Sequence, residues 1–473
     1  MPRNRHQLVV VSNRGPYRTV PVAGKRGGGR IRVRAAGGLV AALDPVLRAR
    51  GGVWVSAQDA DDANQPRPDV EGGEPLEYKM ATVALSRTVG EAFYQGVSNA
   101  MLWPILHSLP PTVGISPTPW NHYETANRAF AEAVLEVSDP RDLVWVQDFH
   151  LMLLPAMLRE ARPKARIGWF CHIPWPGDDL FKILPWRRQI LDGLLGADVL
   201  GFHTKSYADN FMGCLSRVGE AQVDFSRMTV RHEGRTVRVV VAPIGVPVDE
   251  LQTLAADPRV TARAEKIHRQ VDHRRILLGV DRLDYTKGIP QRLRAFEQVL
   301  KSDRSARNRY VMVQIMVPSR TDVQAYRELK QEIDRLIGDI NGRYSSAGKV
   351  PIQYIYRNLP LDKLVAHYRA ADVAVVTPLR DGMNLVAMEY CTSRIEGGGA
   401  LVLSEFAGAA DYLSDALLVN PYDVQTLAQT IRDALAMTAD ATRPAMHALR
   451  AAVHKLDVNL WAKDFLDLLE QRP

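Results

Sequence analysis

Short apolar runs alternate with helix-length amphipathic segments along most of the chain, and this alternation constrains the fold more than any other feature. The runs lie at residues 8–11, 143–146, 167–170, 199–202 and 237–242 in the first half, and at 276–280, 310–316, 352–356, 373–376, 401–403 and 417–419 in the second. Such runs suit strands that are buried on both faces of a parallel sheet. The alternation therefore predicts an α/β protein with two doubly wound domains.

A Pro/Gly turn at residues 243–247 separates the two series of runs. We place a first domain at residues 1–246 and a second at residues 247–455. Residues 456–473 contain apolar positions at helical spacing, which predicts a C-terminal helix that packs back on the first domain. Ligands of open α/β sheets bind beyond the carboxyl ends of the strands, so we expect two such domains facing a cleft.

The composition indicates which class of partner the chain binds and in which cell compartment it works. Sixty Lys and Arg against 53 Asp and Glu leave a formal charge of +7 without a long basic block, which favours small anionic ligands over nucleic acid. Three scattered cysteines suit the cytoplasm rather than a disulfide framework. The apolar stretch behind the basic N-terminus is too short for a signal peptide, and no apolar run reaches about 18 residues. We expect neither secretion nor a membrane span.

In each domain, the segment that follows the predicted first strand carries cations. In the first domain Ser12, Asn13 and Arg14 come directly after the strand, and Gly37 and Gly38 open the next helix, an arrangement that can bind an anion. A strand, a turn and a Gly pair are more often plain packing, so this pattern has little weight by itself.

In the second domain Arg282 and Lys287 follow the first strand, where they could neutralise a diphosphate leaving group. The alternative is an exposed loop with its own salt bridges. Residues 377–389 run from a buried strand through a Gly turn into a helix, whose N-terminal amides favour phosphate. Glu389 on that helix could accept both hydroxyls of a ribose, or it could be an ordinary surface carboxylate.

The first domain contains further candidate site residues, which are either aromatic or placed at strand ends. Tyr94 and Trp103 could serve as platforms for sugar rings, with core packing as the alternative for each. Asp148, His150 and His172 follow predicted strand ends, which favours a site role, although a lone histidine is more often structural.

Several chemistries find no support in the sequence. Asp59 and Asp61 have a spacing that could hold a divalent ion, but the further carboxylates of such a site are absent from the stretch, and we expect no metal there. The absence of a GxSxG elbow, a Walker A loop and a full GxGxxG fingerprint disfavours a hydrolase, an NTPase and a dehydrogenase.

Taken together, the segments resemble those of the trehalose-6-phosphate synthase family of retaining glycosyltransferases. The resemblance extends over nearly the whole chain and rests on VVVSNR (9–14), AGGL (36–39), SNAMLWP (98–104), DFHL (148–151), HIPWP (172–176), DRLDYTKG (281–288), PSRTDVQAY (318–326), TPLRDGMNLVAMEY (377–390), LSEFAGAA (403–410) and VNPY (419–422).

The resemblance implies the GT-B architecture of two Rossmann-like domains and a role for each matching residue. The acceptor, glucose 6-phosphate, would be held by Arg14, Tyr94, Trp103, Asp148 and Arg320. The donor, a nucleoside diphosphate glucose, would be held by Gly38, His172, Arg282, Lys287, Leu359, Leu364, Asp381, Gly382, Met383, Asn384, Leu385 and Glu389. The catalytic residues implied are His172, Arg282, Lys287 and Asp381.

The family is thought to retain the anomeric configuration by a same-face substitution, in which the leaving diphosphate takes the acceptor's proton. Catalysis is then positioning and charge stabilisation, so no cofactor or metal is implied. The implied partners are small molecules, with no nucleic acid and no membrane, and the family suggests a homo-oligomer. Leu359 and Leu364 would lie near the donor base without choosing among uracil, guanine and adenine.

Some segments depart from the family pattern and leave alternatives open. Residues 15–34 form a basic, Gly-rich, insertion-like stretch, and Gln147 stands where a histidine is familiar. Residues 103–108 and 183–187 are more similar to glucosylglycerol-phosphate synthases, whose acceptor is glycerol 3-phosphate. Residues 12–14 and 318–320 match the trehalose type and would touch the acceptor phosphate, so we rank glucose 6-phosphate first. A sugar-phosphate-binding homologue without catalysis is the remaining alternative.

Overall fold

The computed structural model describes residues 6–21, 30–34, 38–57, 77–109, 117–219, 221–320, 323–346 and 348–471. The chain divides into two compact units. Unit 1 comprises Met1–Pro243 and Asn459–Pro473, and unit 2 comprises Ile244–Val458. Residues 22–29 of the basic stretch at 15–34 lie outside the described part of the chain, as do Gly37, Asp59 and Asp61.

Unit 1 is built on a mostly parallel sheet. Its strands and a separate hairpin are β1 (Leu8–Ser12), β2 (Tyr17–Pro21), β3 (Arg30–Arg34), β4 (Gly52–Ala57), β5 (Lys79–Val83), β6 (Leu143–Gln147), β7 (Arg166–Phe170), β8 (Val199–Phe202), β9 (Gln222–Asp224), β10 (Thr229–His232) and β11 (Arg235–Val241). The described strands of the sheet follow the order β5-β4-β1-β6-β7-β8-β11-β10-β9, and β2 pairs with β3 alone. Pairing is parallel from β5 to β11 and antiparallel at β10.

Helices cover this sheet, because the strands are apolar on both faces and need a layer on each. They are α1 (Gly38–Arg50), α2 (Arg87–Glu91), α3 (Trp103–Leu106), α4 (Pro117–Val137), α5 (Leu154–Ala161), α6 (Asp178–Phe181), α7 (Arg187–Leu194) and α8 (Lys205–Val218). A π-helix at Ala92–Leu102 connects α2 to α3. None of the helices in the described ranges has the length and apolar character needed to cross a membrane.

Unit 2 is built on an all-parallel sheet. Its strands are β12 (Arg275–Arg282), β13 (Tyr310–Val317), β14 (Ile352–Tyr356), β15 (Val373–Val376), β16 (Ala400–Ser404) and β17 (Leu417–Val419). Its helices are α9 (Val248–Ala256), α10 (Pro258–Gln270), α11 (Ile289–Ser302), α12 (Ala306–Arg309), α13 (Gln324–Tyr344), α14 (Leu361–Ala370), α15 (Leu385–Ser393), α16 (Val424–Ala436) and α17 (Ala439–His454). The strand order is β14-β13-β12-β15-β16-β17.

The two sheets share one topology. If the strands of the main sheet are counted along each unit, unit 2 shows the order 3-2-1-4-5-6 of a Rossmann fold. Unit 1 shows the same order for its first six strands, followed by strands 9-8-7. The predicted α/β class with two doubly wound domains is confirmed. In this topology the strand order reverses between strands 1 and 4, and ligands bind at that point. The reversal lies between β1 and β6 in unit 1 and between β12 and β15 in unit 2.

The last helix, α18 (Val458–Glu470), packs on the sheet of unit 1. The Phe465 ring stacks on Trp145 with 4.7 Å between centroids and meets Phe170 edge to face. Gly168 and Gly201 make room for it, since a Cβ at either position would lie 2.8 or 2.7 Å from the Phe465 ring. A helix added at the end of the chain therefore completes the core of unit 1.

Candidate active site

Four strand ends of unit 1 meet at one edge of its sheet. β1, β6, β7 and β8 are successive neighbours, so the residues that follow them lie side by side. These residues are Arg14, Asp148, His172 and His203. Arg14 and Asp148 follow the two strands that flank the reversal point, where the fold places its ligand.

Arg14 combines a cation with aromatic faces. Its Nη2 donates to the Tyr94 hydroxyl over 2.7 Å, and its guanidinium carbon lies 5.2 Å from the centroid of that ring. Tyr94 comes from the π-helix and stacks on His150 at 5.9 Å. The Arg14 side chain is exposed, so its remaining donors face solvent and can bind a phosphate. Trp103 is buried instead, where it packs against His107 and Phe149.

Asp148 is held in an unusual backbone conformation. Its φ of 71° and ψ of 174° lie in a region that residues with a side chain rarely adopt. Its amide donates to Phe170 O over 2.8 Å, and its Oδ1 accepts from the His172 amide over 3.3 Å. These contacts with the end of β7 maintain the strained turn and aim the carboxylate away from the strand.

His172 lies against the aromatic core of unit 1. Its ring is 4.8 Å from Phe170, 5.5 Å from His203 and 6.0 Å from Trp461. Its Nε2 forms a 2.9 Å hydrogen bond with Gln147 Oε1. Burial, and then the neighbouring His203, lower the pKa of His172 well below its ordinary value, so the ring is neutral at pH 7.

In unit 2 an ion pair joins the two segments at the reversal point. Lys287 Nζ donates to Asp381 Oδ2 over 2.6 Å, and Asn384 Nδ2 donates to the same oxygen over 2.9 Å. Lys287 ends a 3-10 turn after β12, while Asp381 and Asn384 belong to the loop before α15. The carboxylate thus fixes both the cation and the turn that leads into the helix.

Two backbone features shape these loops. Gly288 has a φ of 62°, and a Cβ there would lie 2.1 Å from Thr377 O, so the approach of the two loops requires glycine. Asn384 caps α15 with a φ of 75°, which asparagine tolerates better than most residues. The loop backbone and the first turn of α15 then present amide groups beside Lys287, a setting that suits a phosphate.

Glu389 accepts a hydrogen bond from α14, a helix whose contact with Glu389 the sequence does not predict. Tyr368 of α14 donates through its hydroxyl to Glu389 Oε2 over 2.6 Å. Burial raises the pKa of Glu389, while the Tyr368 hydroxyl acts in the opposite direction. The second carboxylate oxygen remains an acceptor for a ligand hydroxyl.

The other donor residues named from the sequence take the following places. Gly38 begins α1, Arg282 is exposed at the end of β12, Leu359 precedes α14, Leu364 is half-buried within α14, Gly382 and Met383 are buried in the loop before α15, and Leu385 begins α15.

Arg320 lies in unit 2, whereas Arg14, Tyr94, Trp103 and Asp148 lie in unit 1. It has a φ of 50° and donates to Asp284 over 3.4 Å and to the Tyr326 hydroxyl. Asp284 is fully buried, and burial alone would raise its pKa, but Arg320, Arg282 and Lys287 together hold that pKa below its ordinary value. A buried carboxylate thus holds the arginine in position.

Sequence reasoning missed Asp284, Tyr326, Tyr368 and His203 as neighbours of the site. His203 follows β8 as His172 follows β7, so its strand-end position was a usable signal. Tyr368 lies inside a helix, where no spacing marks it. No group of three or more His, Cys, Asp or Glu residues suited to a metal occurs in the described ranges, which leave out residues 59–61.

Comparison with known proteins shows that this chain is similar to some of them in sequence and in structure. The profile of glycosyltransferase family 20 matches residues 6–471. Trehalose-6-phosphate synthase of Mycobacterium bovis is 43% identical, with 98% of this chain and 94% of that protein aligned.

Two solved structures are similar over almost their whole length. The UDP-forming α,α-trehalose-phosphate synthase of Burkholderia xenovorans, in complex with glucose 6-phosphate, matches with a TM-score of 0.88 and 32% identity, covering 98% of this chain and all of that one. A trehalose-6-phosphate synthase studied with bisubstrate glycomimetics for glycosyl transfer with retention matches with a TM-score of 0.86 and 33% identity, covering 98% and 99%.

Proposed function

Because the chain belongs to glycosyltransferase family 20, we propose that it is a retaining glucosyltransferase that moves glucose from UDP-glucose to glucose 6-phosphate. The product is α,α-trehalose 6-phosphate. The observation that carries this proposal is the contact of Lys287 and Asn384 with Asp381 at the reversal point of the second sheet. The name of the M. bovis relative supports the same product. The B. xenovorans relative is described as UDP-forming and is bound to glucose 6-phosphate, which supports the same substrates.

On the donor side, the diphosphate, the ribose and the glucose of a nucleotide sugar each have a matching group. Lys287 and Arg282 supply positive charge for the diphosphate, and the backbone at the start of α15 supplies amide donors. Glu389 accepts the ribose hydroxyls through the oxygen that Tyr368 leaves available. Asp381, fixed by Lys287 and Asn384, orients the glucose hydroxyls.

On the acceptor side, Arg14 binds the phosphate and Tyr94 keeps the guanidinium in place. Asp148 accepts hydroxyls of the sugar ring from the strained turn that aims its carboxylate. Arg320 contributes a second cation, held by the buried Asp284.

The transfer breaks the bond between C1 of the donor glucose and the β-phosphate oxygen. A bond forms on the same face between C1 and the anomeric hydroxyl oxygen of glucose 6-phosphate. The proton of that hydroxyl passes to the departing diphosphate, so no protein base is consumed. Lys287 and Arg282 stabilise the negative charge that develops on the diphosphate, an effect that can account for several kcal/mol of barrier.

We also propose that the transfer needs no metal ion. Lys287 and Arg282, with the amide groups of the loop before α15, supply the charge that a divalent ion would otherwise supply at the diphosphate. Turnover should be unchanged after exhaustive chelation with EDTA and should not rise when Mg²⁺ or Mn²⁺ is added. A loss of more than about tenfold on chelation, restored by a metal, would overturn this proposal.

The phosphate specificity of the acceptor site tests the assignment of Arg14. In Arg14→Ala the KM for glucose 6-phosphate should rise at least about tenfold, because a charged hydrogen bond is worth roughly 1.5–3 kcal/mol. The KM for UDP-glucose should stay within about twofold. Arg141→Ala, a change of an exposed arginine, is the matched control. An unchanged KM for glucose 6-phosphate would show that Arg14 does not bind the acceptor.

A further inference from the structure

We propose that Gln147 is a positioning residue that holds the His172 imidazole in a single tautomer, with the proton on Nε2 and the lone pair on Nδ1. Gln147 is the residue that departs from the histidine familiar at this position. The inference deepens the proposed function and rests on it, since it concerns a residue of the donor site. The tautomer itself, however, can be measured without any substrate.

The contact arises from the pairing of two neighbouring strands. Gln147 ends β6 and lies opposite Phe170, which ends β7 two residues before His172. Gln147 is fully buried, so its amide must find its partners within the protein. Its Oε1 lies 2.9 Å from His172 Nε2, and its Nε2 donates to Trp145 O over 3.4 Å.

The two hydrogen bonds of Gln147 determine the proton position on His172. Because the amide nitrogen is directed at Trp145 O, the amide oxygen faces the imidazole. A carbonyl oxygen only accepts hydrogen bonds, so His172 Nε2 must carry a hydrogen. The opposite tautomer would set two acceptors against each other in a buried place and leave both without a hydrogen bond.

The surroundings keep the ring neutral, which leaves Nδ1 unprotonated. Burial and His203 lower the pKa of His172. The other ionisable groups beside it are Asp148, whose carboxylate accepts the His172 amide hydrogen, and Cys171, whose pKa is raised by burial. Phe170 and Trp461 cover the ring with apolar surface. Within the described part of the chain, Nδ1 makes no hydrogen bond.

Nδ1 is therefore an acceptor for a hydroxyl of the transferred glucose. A glutamine at position 147 holds the His172 tautomer differently from a histidine. The glutamine amide does not titrate, and it cannot exchange its donor for its acceptor unless the amide group flips. The acceptor character of Nδ1 is thus maintained across the working pH range. With a histidine at position 147, two coupled rings would share their protons, and both tautomers of His172 would be accessible.

The tautomer is measured first, by NMR of the substrate-free enzyme labelled with ¹⁵N-histidine. The signals of His172 are assigned by their loss in His172→Gln. We expect a protonated Nε2 and an unprotonated Nδ1 from pH 7.5 down to at least pH 6. A protonated Nδ1 at neutral pH would overturn the proposal, whether or not the enzyme forms a disaccharide.

Variants of Gln147 then connect the tautomer to turnover. In Gln147→Leu the His172 signals should show a mixture of tautomers, and kcat should fall about tenfold while the KM for glucose 6-phosphate stays within about twofold. In Gln147→Glu the carboxylate favours the protonated ring, so the acidic limb of kcat should move to higher pH. A single unchanged tautomer in Gln147→Leu would contradict the proposal.

Two further changes control for folding. Gln147→His keeps a hydrogen-bonding ring at the position, so it should fold even where the leucine variant does not, and its pH profile should show an additional ionisation. Gln252→Leu breaks a Gln–His hydrogen bond in unit 2 away from the site and should leave both kcat and the His172 signals unchanged. A pH profile of Gln147→His identical to that of the natural enzyme would count against the proposal.

Discussion

The proposed donor chemistry depends most on a single residue, Lys287. Its Nζ contacts Asp381, and it is mostly buried with its side chain only 10% exposed, so its charge acts in a poorly screened environment. A cation there stabilises the diphosphate more as the glycosidic bond breaks than before it breaks. We expect Lys287→Ala to lower kcat by about 10²-fold or more, measured by the release of UDP at saturating substrates.

Lys205→Ala is the matched control for Lys287→Ala. Lys205 also pairs with an aspartate, Asp209, but on the exposed face of α8 in unit 1. Such surface pairs contribute little, so kcat should be unchanged. An Lys287→Ala variant that turns over normally while it still binds UDP-glucose would contradict the assigned role.

Tyr368 affects the pKa of another residue, Glu389. Its hydroxyl donates to Glu389 and thereby opposes the rise in pKa that burial causes. In Tyr368→Phe the pKa of Glu389 should rise further, so the carboxylate becomes protonated at a higher pH. The KM for UDP-glucose should increase about three- to tenfold at pH 6 and less at pH 8.

The control for Tyr368→Phe is another buried tyrosine of unit 2. The hydroxyl of Tyr390 makes only long contacts of 3.5 and 3.4 Å with the carbonyl groups of Ala371 and Asp372. Tyr390→Phe should therefore leave the pH dependence of the donor KM unaltered. The same pH dependence in Tyr368→Phe and the natural enzyme would show that Glu389 does not bind the donor as an ionised carboxylate.

At the scale of elements, α18 is the piece whose packing can be tested most directly. Phe465 is fully buried among Trp145, Phe170 and the two glycines that make room for it. We expect Phe465→Ala to lower the unfolding free energy of unit 1 by about 3–5 kcal/mol, measured by urea denaturation. Leu460→Ala, on the exposed face of the same helix, should change it by less than about 0.5 kcal/mol. Equal effects of the two changes would contradict this packing.

The strands show what could be predicted from sequence and what could not. β8, β14, β15 and β17 have the bounds of the apolar runs. β8 and β15 are buried along their whole length, and strands of this kind consist of little but apolar residues. β5 was missed because it forms one edge of its sheet and only its last residue, Val83, is buried. β9 and β10 were missed at the opposite edge, where antiparallel pairing allows polar residues. β4 has its own apolar run of Val53, Trp54 and Val55, a signal that was available.

The candidate site also has features that could be predicted from the sequence and features that could not. Lys287 and Asp381 could be chosen from the sequence because both follow strands that flank the reversal point. Their direct contact could not be predicted, since it depends on loop conformations and on the left-handed backbone of Gly288 and Asn384. The partners Asp284 and Tyr368 could not be predicted either, because they are brought into contact only by tertiary packing.

At the scale of the whole molecule, the chain presents the same Rossmann topology twice, once in each unit. In each unit two of the charged residues named from the sequence follow the strands that flank the reversal point. Unit 1 contributes Arg14 and Asp148, and unit 2 contributes Lys287 and Asp381. A formal charge of +7 suits substrates that all carry phosphate. We propose that this charge arrangement serves glucosyl transfer to a sugar phosphate.

The measurement that tests this claim most directly is an assay of the product. The enzyme is offered UDP-, GDP- or ADP-glucose together with glucose 6-phosphate or glycerol 3-phosphate, and the phosphorylated product is identified by mass spectrometry and its anomeric configuration by NMR. We predict α,α-trehalose 6-phosphate, formed fastest from UDP-glucose. Glucosylglycerol phosphate as the main product, or binding of both substrates with no product at all, would contradict the proposed function.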